Sequence, residues 1–514
     1  MEPLISLEVE LKLTADSSDL TALRSALAAI ACGAPLDRRS LVSTYFDTPE
    51  LALRAAAASL RVRAENGQFV QTLKTAGLAP ANLLERGEWQ DIVAKNQVDP
   101  QAPQSGARLP AGVAGELYPL FVTTITRETV ELEPAPGTRI EVAIDLGEIR
   151  TVSGGASEPV CELELELKAG PRTALYDLAL QLLEAAPLTI GTRSKSERGY
   201  ALVEGGAAAA AMPAAAVDFA PGTSVETVLQ RVGRSCLAQL LRNEPAALAG
   251  EPEAVHRMRV ELRRLRSMLA AVKGVLPREP RRRVAAELTA LAEPLGRARN
   301  LDVFIAELLA PLQCDRAGDP GWDELAAAAA AARRAAHHRV ACEIRSPQRT
   351  ARLLRLLRWF DGCEWRAAET PAAPALTAPI DTIAPGILDR CRRKVRRRSR
   401  HFMRLTPDQR HRLRIAVKEL RYAIELWRSL YPGRELRRYL ERMKPVQDEL
   451  GHVSDIRAAY GLVIELGRTA EQPQPIVAAG GRLLERHERA LLRSEARLRR
   501  RLRRLNHARR FWRI

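Results

Sequence analysis

The hydrophobic period of the sequence changes near residue 205, and this change constrains the fold more than any other feature. Before it, short segments such as SLEVELKL, RIEVAID and CELELELK alternate apolar and polar residues, which is the pattern of β-strands. After it, apolar residues recur every three or four positions over long Ala-, Leu- and Arg-rich segments, which indicates α-helices. The chain is therefore predicted to be an α+β protein whose strands and helices occupy different halves of the sequence.

The charge balance changes at the same place. Residues 1–204 contain 19 Lys and Arg against 28 Asp and Glu, a balance of 19 − 28 = −9, whereas the remainder contains 60 against 34, a balance of +26. Between the halves, residues 205–221 are rich in Ala, Pro and Gly, which is typical of a linker. We therefore predict one domain at 1–204, a linker at 205–221 and a second domain at 222–514, and we expect the basic domain to bind a polyanion.

Several classes of protein are disfavoured by the composition. No apolar run approaches the roughly 20 residues that span a bilayer, and the first residues lack the basic start and apolar stretch of a signal peptide. The seven cysteines are scattered and never show a C-x-x-C spacing, which argues against disulfides and against a thiolate zinc site. We expect a cytoplasmic protein with reduced cysteines and no membrane partner.

Charged residues in the first half occupy alternate strand positions. Glu8, Glu10 and Lys12 are two residues apart, so all three project from one face of a strand. The same spacing joins Arg61 with Arg63, Thr72 with Lys74, and the glutamates at 162, 164 and 166. On an isolated half-exposed strand such residues would simply face water. Predicted helices at 17–31 and 171–186 would instead cover the apolar faces, which leaves the charged faces around a wet cavity of a barrel or curved sheet.

A cavity with charges of both signs suits a phosphate chain that carries a metal ion. Carboxylates hold Mg²⁺ or Mn²⁺, and Arg and Lys bind phosphate oxygens. The sequence contains no G-x-x-x-x-G-K-[ST] loop, so a P-loop enzyme is excluded.

The first half of the sequence resembles the CYTH domain, the family of triphosphate tunnel metalloenzymes. The E-x-E-x-K signature at Glu8–Lys12 is short, but the motifs that follow are in the family's order over essentially all of residues 1–204. These are YFDT at 45–48, LRVR at 60–63, QTLK at 71–74, ERGEW at 85–89, ELELE at 162–166, and SK at 194–195 near RGY at 198–200.

The resemblance implies an eight-stranded antiparallel barrel that forms a tunnel and hydrolyses a triphosphate with Mg²⁺ or Mn²⁺. It assigns metal binding to Glu8, Glu10, Glu162 and Glu164, and the phosphate path to Lys12, Arg61, Arg63, Lys74, Arg127 and Lys195. Lys12, Arg61, Arg63, Lys74 and Glu88 are the expected catalytic residues, and Glu85 and Glu88 are candidates for orienting metal or water. The aromatic content of 4% favours inorganic triphosphate over thiamine or nucleoside triphosphates, which stay open as alternatives.

The second half contains an internal duplication. The segment that begins HRMRVELRRLR at His256 matches HRLRIAVKELR at His411, an offset of 411 − 256 = 155. Leu295-Gly296 and Leu450-Gly451 repeat at the same offset. Two matches at one offset predict tandem helical units that pack about a pseudo-two-fold axis.

Each copy has a basic stripe on one helix face, formed by His256, Arg259, Arg263 and Arg266 and by His411, Arg414, Lys418 and Arg421. Such a stripe is often only a solvated face, but like charges at this spacing repel and relax when an anion binds. The duplicated pattern resembles the CHAD domain over about residues 222–505, which implies a helical bundle whose basic faces bind inorganic polyphosphate, with polyphosphate granules as one location. A specific nucleic-acid partner is not expected because only Tyr422 could stack on a base, although nucleic-acid binding and a barrel that binds without turnover stay open.

Overall fold

The computed structural model describes residues 6–65, 67–76, 85–110, 113, 116–206, 210–213, 216–312, 320–367 and 373–513. Part of the predicted linker and the side chain of Glu85 lie outside the described residues. The chain forms two compact units, one of 1–209 with 344–363 and one of 210–343 with 364–514. None of the helices in the described part of the chain is both long enough and apolar enough to cross a membrane.

The first unit is a closed antiparallel barrel. Its sheet order is β5-β4-β3-β2-β6-β7-β8-β1, and β1 also pairs with β5, so eight strands form a ring; β9 is a short addition beside β1. The strands are β1 Ser6–Thr14, β2 Asp37–Asp47, β3 Ala58–Glu65, β4 Gln68–Ala76, β5 Glu85–Val93, β6 Tyr118–Ala135, β7 Thr138–Thr151, β8 Ser157–Ala169 and β9 Thr189–Ile190. The predicted antiparallel barrel is confirmed.

Helices cover the apolar side of the barrel. They are α1 Leu20–Ile30, α2 Ala52–Ala55, α3 Thr173–Ala185 and α4 Lys195–Val203. Helices α1 and α3 occupy the two predicted helical segments, and α3 packs on β1 and β8. Strand residues that alternate with the charged ones, such as Leu13, Val62 and Leu73, are fully buried. Helix α4 was not predicted; a capping box of Ser194 and Glu197 begins it.

The first unit also contains a helix from far along the sequence. Helix α10, which is residues Pro347–Asp361, packs on α3. The hydroxyl of Tyr176 donates a hydrogen bond of 2.5 Å to Asp361, and Arg358 lies 2.5 Å from Asp177. Sequence boundaries alone assigned this segment to the second domain, because its composition is that of the helical half.

The second unit is all α-helical. Its helices are α5 Val225–Arg242, α6 Glu244–Leu248, α7 Pro252–Ala271, α8 Arg278–Val303, α9 Pro320–Ile344, α11 Ala373–Thr377, α12 Ile380–Arg398, α13 Pro407–Leu426, α14 Arg434–Thr469 and α15 Pro473–Asn506. Apolar stripes at helical spacing, such as Met258, Leu262 and Leu265 of α7, are fully buried and form the core.

The duplication appears in the structure as local two-fold symmetry. Helices α7 and α13 begin and end at residues 155 apart, since 407 − 252 and 426 − 271 are both 155. The backbone N–H of Val225 donates to the carbonyl of Ala378, and that of Ile380 donates to Thr223. Because 223 and 225 correspond to 378 and 380, these two bonds are reciprocal, as in an isologous contact.

Two adjacent glycines of α15 give a test of the packing in the second unit. A Cβ at Gly480 would lie 2.3 Å from Cγ1 of Val463 on α14, whereas a Cβ at Gly481 would meet nothing within 4 Å. We expect Gly480→Ala to lower the free energy of unfolding by about 1–3 kcal/mol through overpacking. The matched control Gly481→Ala should raise it by up to about 1 kcal/mol, because Ala is the better helix former. Denaturant unfolding followed by circular dichroism measures both, and equal effects at the two positions would contradict this packing.

Candidate functional site

The barrel encloses a cavity of about 530 Å³. Alternate residues of all eight strands line it, together with the start of α4. Ten of the eleven residues assigned to metal binding, the phosphate path or catalysis are among them: Glu8, Glu10, Lys12, Arg61, Arg63, Lys74, Glu88, Arg127, Glu164 and Lys195. The eleventh, Glu162, lies beside the cavity and is 1% exposed. The charged strand faces therefore point inward.

Three carboxylates form a compact group in this wall. One oxygen from each of Asp145, Glu162 and Glu164 lies within 4.8 Å of the others. The pairing of β7 with β8 places Asp145 opposite Glu162, and Glu164 follows two residues later on the same face. Asp145 and Glu162 are almost completely buried. Buried carboxylates need charged or hydrogen-bonding partners, because burial without them is costly.

Two lysines supply these partners. The Nζ of Lys12 lies 2.9 Å from Glu162 and also contacts Glu164. The Nζ of Lys195, at the first turn of α4, lies 2.6 Å from Asp145 and 3.0 Å from Glu164. Burial lowers the pKa of Lys12, but the nearby carboxylates raise it further, so the net shift is upward. The lysines and carboxylates therefore form a buried network of ion pairs.

Arg127 fixes one side of the network. Its guanidinium donates to both oxygens of Asp145, from Nε at 2.7 Å and from Nη2 at 2.6 Å, and it also contacts Glu164. The β6–β7 register places Arg127 directly opposite Asp145. This two-point contact fixes the orientation of both side chains.

A second charged group lies around Lys74. Its Nζ is 2.7 Å from Glu8 and 3.1 Å from Glu88. Burial raises the pKa of Glu8 to about 7, and the negative charges of Glu10 and Glu88 add to this although Lys74 opposes it. Three groups of the sequence motifs thus meet here, the amine of Lys74 and the carboxylates of Glu8 and Glu88.

The arginines of β3 form a positive part of the wall. The Nε of Arg63 donates to the hydroxyl of Ser43 at 3.2 Å, and Arg61 hydrogen-bonds Tyr45. Among the described residues, neither guanidinium forms an ion pair with a carboxylate. Burial, together with repulsion from Arg61 and Arg127, lowers the pKa of Arg63 to about 10. This part of the wall can accept an anion without breaking an existing ion pair.

The donor set fits a hard divalent cation. Asp145, Glu162 and Glu164 provide carboxylate oxygens at one place, and Glu8 and Glu10 line the same cavity. Within the described residues, the predicted metal set is therefore divided: Glu162 and Glu164 belong to the compact group, whereas Glu8 is bonded to Lys74.

Sequence reasoning missed two residues of the site. Asp145 belongs to the compact carboxylate group, and Tyr45 contacts Arg61. Asp145 could have been found from its spacing, because 141, 143 and 145 share the inward face of β7. Tyr45 lies in the YFDT motif but was assigned no role, because an aromatic residue on a strand most often belongs to the core.

Other motif residues have a structural role. Asp47 is fully buried and accepts hydrogen bonds from the backbone N–H groups of Thr48, Leu53 and Arg54 and from the hydroxyl of Tyr200. The YFDT and RGY segments therefore join β2, α2 and α4.

In the second unit, the basic stripes of α7 and α13 lie together. These two helices are in contact, and burial followed by repulsion from Arg263, Arg299, Arg266 and Arg414 lowers the pKa of Arg259 to about 10. Burial, with Arg414 and Arg263, likewise lowers the pKa of Lys418 to about 7. We define the basic cluster as Arg259, Arg263, Arg299, Arg414 and Lys418.

The remaining predicted residues lie around this cluster. Burial and Arg299 lower the pKa of His256 to about 4, so it is neutral near pH 7; the pKa of His411 is lowered as well. Arg266 is exposed, and Arg421 is paired with Glu425 at 2.5 Å.

The duplicated LG segments support the same cluster. A Cβ at Gly296 would lie 3.0 Å from the guanidinium of Arg259, and Arg414 donates to Ser454 at 2.8 Å. Arg299 was missed in the sequence, although it lies three residues after Gly296 of the first duplicated Leu-Gly pair.

Two family models match the chain, one over the barrel and one over the helical half, helix α10 included. A model of the CYTH domain matches residues 6–200, and a model of the CHAD domain matches residues 231–464. The chain joins a CYTH domain to a CHAD domain. The barrel cavity lies in the CYTH domain, and the basic cluster lies in the CHAD domain.

Individual relatives resemble one part of the chain or the other. An inorganic triphosphatase of Haemophilus influenzae is 31% identical over 208 residues, which is 39% of this chain and 56% of that protein. The chain thus spans a little over half of that relative's length. The CHAD domain from the plant Ricinus communis is 28% identical, with a TM-score of 0.49, and the match covers 59% of this chain and 98% of that one. PptA from Streptomyces chartreusis is 18% identical, with a TM-score of 0.41, over 55% and 99%.

Removing Arg127 tests the buried network of the CYTH domain. Arg127→Met leaves Asp145 and Glu164 without their guanidinium partner, and breaking a buried pair costs about 3–5 kcal/mol. We expect a loss of that size in the free energy of unfolding. Arg150→Ala is the control: its partner Glu148 is exposed, so we expect a change within about 0.5 kcal/mol. Similar losses in the two variants, measured by thermal unfolding, would contradict a special role for the network.

Proposed function

We propose that the CYTH domain hydrolyses inorganic triphosphate to diphosphate and phosphate with Mg²⁺ or Mn²⁺. The observation that carries this proposal is the closed cavity whose wall combines buried cations with a compact carboxylate group. A triphosphate is a short chain of negative charge, and such a chain needs cations along its length. The similarity to an inorganic triphosphatase supports the same reaction class.

The cationic side chains bind and orient the substrate. Arg61 and Arg63 have no carboxylate partner among the described residues, so we expect them to bind the phosphate oxygens first. Lys12, Lys74, Arg127 and Lys195 lie around the same space and stabilise the charge that develops on the leaving diphosphate. Water attacks the terminal phosphorus, and the bond from that phosphorus to the bridging oxygen breaks. Glu88 accepts a hydrogen bond from this water.

A divalent cation, when bound, neutralises phosphate charge. Asp145, Glu162, Glu164, Glu8 and Glu10 are the carboxylates that would hold it. Lys12 and Lys195 contact Glu162 and Glu164, and their charges lower the pKa of Glu164 against the opposing effect of burial.

The lining favours an inorganic substrate. Tyr45 is the one aromatic residue among the described residues of the cavity wall, and it is 4% exposed and engaged with Arg61. A nucleoside or thiamine group would lack an accessible ring on which to stack. Organic triphosphates are the alternative substrates.

A substrate panel tests the proposal. Tripolyphosphate, ATP and thiamine triphosphate are compared by phosphate release with Mg²⁺ and with Mn²⁺, in the full chain and with excess chelator. We expect the highest kcat/KM for tripolyphosphate and no turnover without metal. Faster turnover of either organic substrate would reject the inorganic assignment.

Single substitutions test the roles of the residues. Lys12→Met and Arg61→Ala should each lower kcat for tripolyphosphate by roughly 10²–10³-fold, the usual effect of removing one charge-stabilising donor. Arg139→Ala is the control, because its ion pair with Glu131 is exposed outside the cavity. Equal activity of Lys12→Met and Arg139→Ala would show that the cavity is not the catalytic site.

We further propose that the CHAD domain binds inorganic polyphosphate at the basic cluster. The cluster brings together guanidinium groups from α7, α8 and α13; burial, followed by repulsion from neighbouring arginines, lowers the pKa of Arg259, and burial and Arg263 lower the pKa of Arg414 although Asp455 opposes this. A bound polyanion compensates the positive charges and removes this repulsion, which favours binding at the cluster. Nucleic acid is the competing ligand. The ring of Tyr422, which could stack on a base, is covered by the guanidinium of Arg263, whose Cζ lies 5.2 Å from the ring centroid.

Lys418 makes this binding depend on pH. Its pKa of about 7 in the free protein means that it loses its charge as the pH rises above 7. A polyanion favours the charged form, so binding takes up a proton and weakens with rising pH. We expect roughly tenfold weaker polyphosphate binding at pH 8 than at pH 6. Calorimetric titration at both values measures it.

Lys418→Met is the informative variant, because it should bind weakly at both pH values with little difference between them. The control Lys444→Met, on α14 and exposed, should keep the full pH dependence. Unchanged pH dependence in Lys418→Met would assign the titration to another group.

A further inference from the structure

Two arginine-rich segments that are distant in sequence meet in the CHAD domain. The C-terminal end of α12 lies against the C-terminal end of α15. Arg392 donates to the backbone carbonyl of Asn506 at 2.6 Å, and the side chain of Asn506 donates to the hydroxyl of Ser399 at 2.9 Å. The fold therefore combines both segments into one surface.

The exposed arginines of these segments follow helical spacing. On α12 and just after it they are 393, 396, 397 and 400, and on α15 they are 499, 500, 503 and 504. The opposite faces are buried, as Val395, Leu498 and Leu502 show. We name the eight exposed residues the arginine ridge: Arg393, Arg396, Arg397, Arg400, Arg499, Arg500, Arg503 and Arg504.

The ridge differs from its neighbours in having no acidic partners. Nearby basic residues are paired, for example Arg513 with Asp389 at 2.5 Å, and Arg501 with Glu449. Within the described residues, none of the eight ridge arginines forms an ion pair. Eight like charges in adjacent turns repel one another, and an anionic chain removes that repulsion.

The ridge lies near the start of α13, the helix that carries the second basic stripe. Arg398, which is between ridge residues, donates to the backbone carbonyl of Arg412 at 2.7 Å. Arg412 is in the first turns of α13 and directly follows His411, where the basic stripe of that helix begins. The end of α12 and the beginning of the α13 stripe are therefore neighbours in the fold.

We propose that the arginine ridge is a second phosphate-binding surface, which extends the polyphosphate site and makes the CHAD domain prefer long chains. This inference rests on the proposal that the basic cluster binds polyphosphate. Guanidinium groups bind phosphate oxygens through two hydrogen bonds. The ridge lies near the start of the α13 basic stripe, so we assign it the ligand proposed for that stripe, inorganic polyphosphate. Only a chain long enough to contact both surfaces gains from the second one.

The experiment compares chain lengths. Binding of polyphosphate chains of about 15 and about 100 phosphates is measured in the full-length protein with chelator, so that no chain is cut. The ridge variant carries Arg393→Ala, Arg397→Ala, Arg500→Ala and Arg504→Ala. The charge-matched control carries Arg278→Ala, Arg282→Ala, Arg434→Ala and Arg437→Ala, four exposed arginines elsewhere in the domain.

We expect the ridge variant to bind the long chain about tenfold more weakly and the short chain as the wild type does. Its salt dependence for the long chain should fall by a slope of about 3, close to four phosphate contacts. The control should change neither. A third variant with Lys at the same four ridge positions should keep the preference for long chains, because it keeps the charge; unaltered melting temperatures show that all variants fold.

Other results overturn the inference in distinguishable ways. Equal losses for both chain lengths, or equal effects of ridge and control variants, would reject a second surface. Wild-type protein that binds neither chain would reject the proposed function itself. Ridge-dependent binding of duplex RNA that polyphosphate cannot displace would assign the ridge to nucleic acid.

Discussion

The CYTH domain depends on one constraint: charges that are buried inside a closed barrel must compensate one another. The eight strands leave no free edge, and every second residue faces the cavity. Asp145, Glu162 and Glu164 are tolerable there only because Lys12, Lys195 and Arg127 lie within contact distance. The same pairing lowers the pKa of Glu164 and raises the pKa of Lys12, in both cases against the opposing effect of burial. A site arranged in this way is organised before any ligand arrives, so little reorganisation is needed on binding.

The CHAD domain uses the opposite arrangement. Its basic cluster gathers like charges with few carboxylates, and burial together with repulsion from neighbouring arginines lowers the pKa values of Arg259 and Lys418. The duplication explains how such a cluster arises, since a helix with one basic stripe meets its own copy across a local two-fold axis. The reciprocal bonds of Val225 and Ile380 mark that axis. The two domains are thus suited to anions in different ways. In the CYTH domain an anion would replace carboxylates as the partner of cationic side chains, whereas in the CHAD domain it would provide negative charge that the basic cluster lacks.

Much of this was readable from the sequence because strand alternation determines which side chains share a face. Glu8, Lys12 and Arg61 could be assigned to one surface, although only the closed ring establishes that this surface is the inside. The sequence did not show that Glu162 and Glu164 form a group with Asp145, because the proximity of Asp145 to Glu162 depends on the β7–β8 register. Arg299 and Tyr45 were missed for the same reason: their importance comes from neighbours that are distant in sequence. Helix α10 looked like any other helix of the second half, since nothing in its composition identifies the surface it packs on.

That helix has a consequence for how the protein can be divided. The polypeptide leaves the first compact unit near residue 209, returns for 344–363 and leaves again. A gene cut at the Ala- and Pro-rich stretch would yield a barrel in which the hydroxyl of Tyr176 lacks Asp361. The two domains therefore cannot be exchanged by a single cut. Recombination at that stretch alone would separate the barrel from residues 344–363, which belong to the same compact unit.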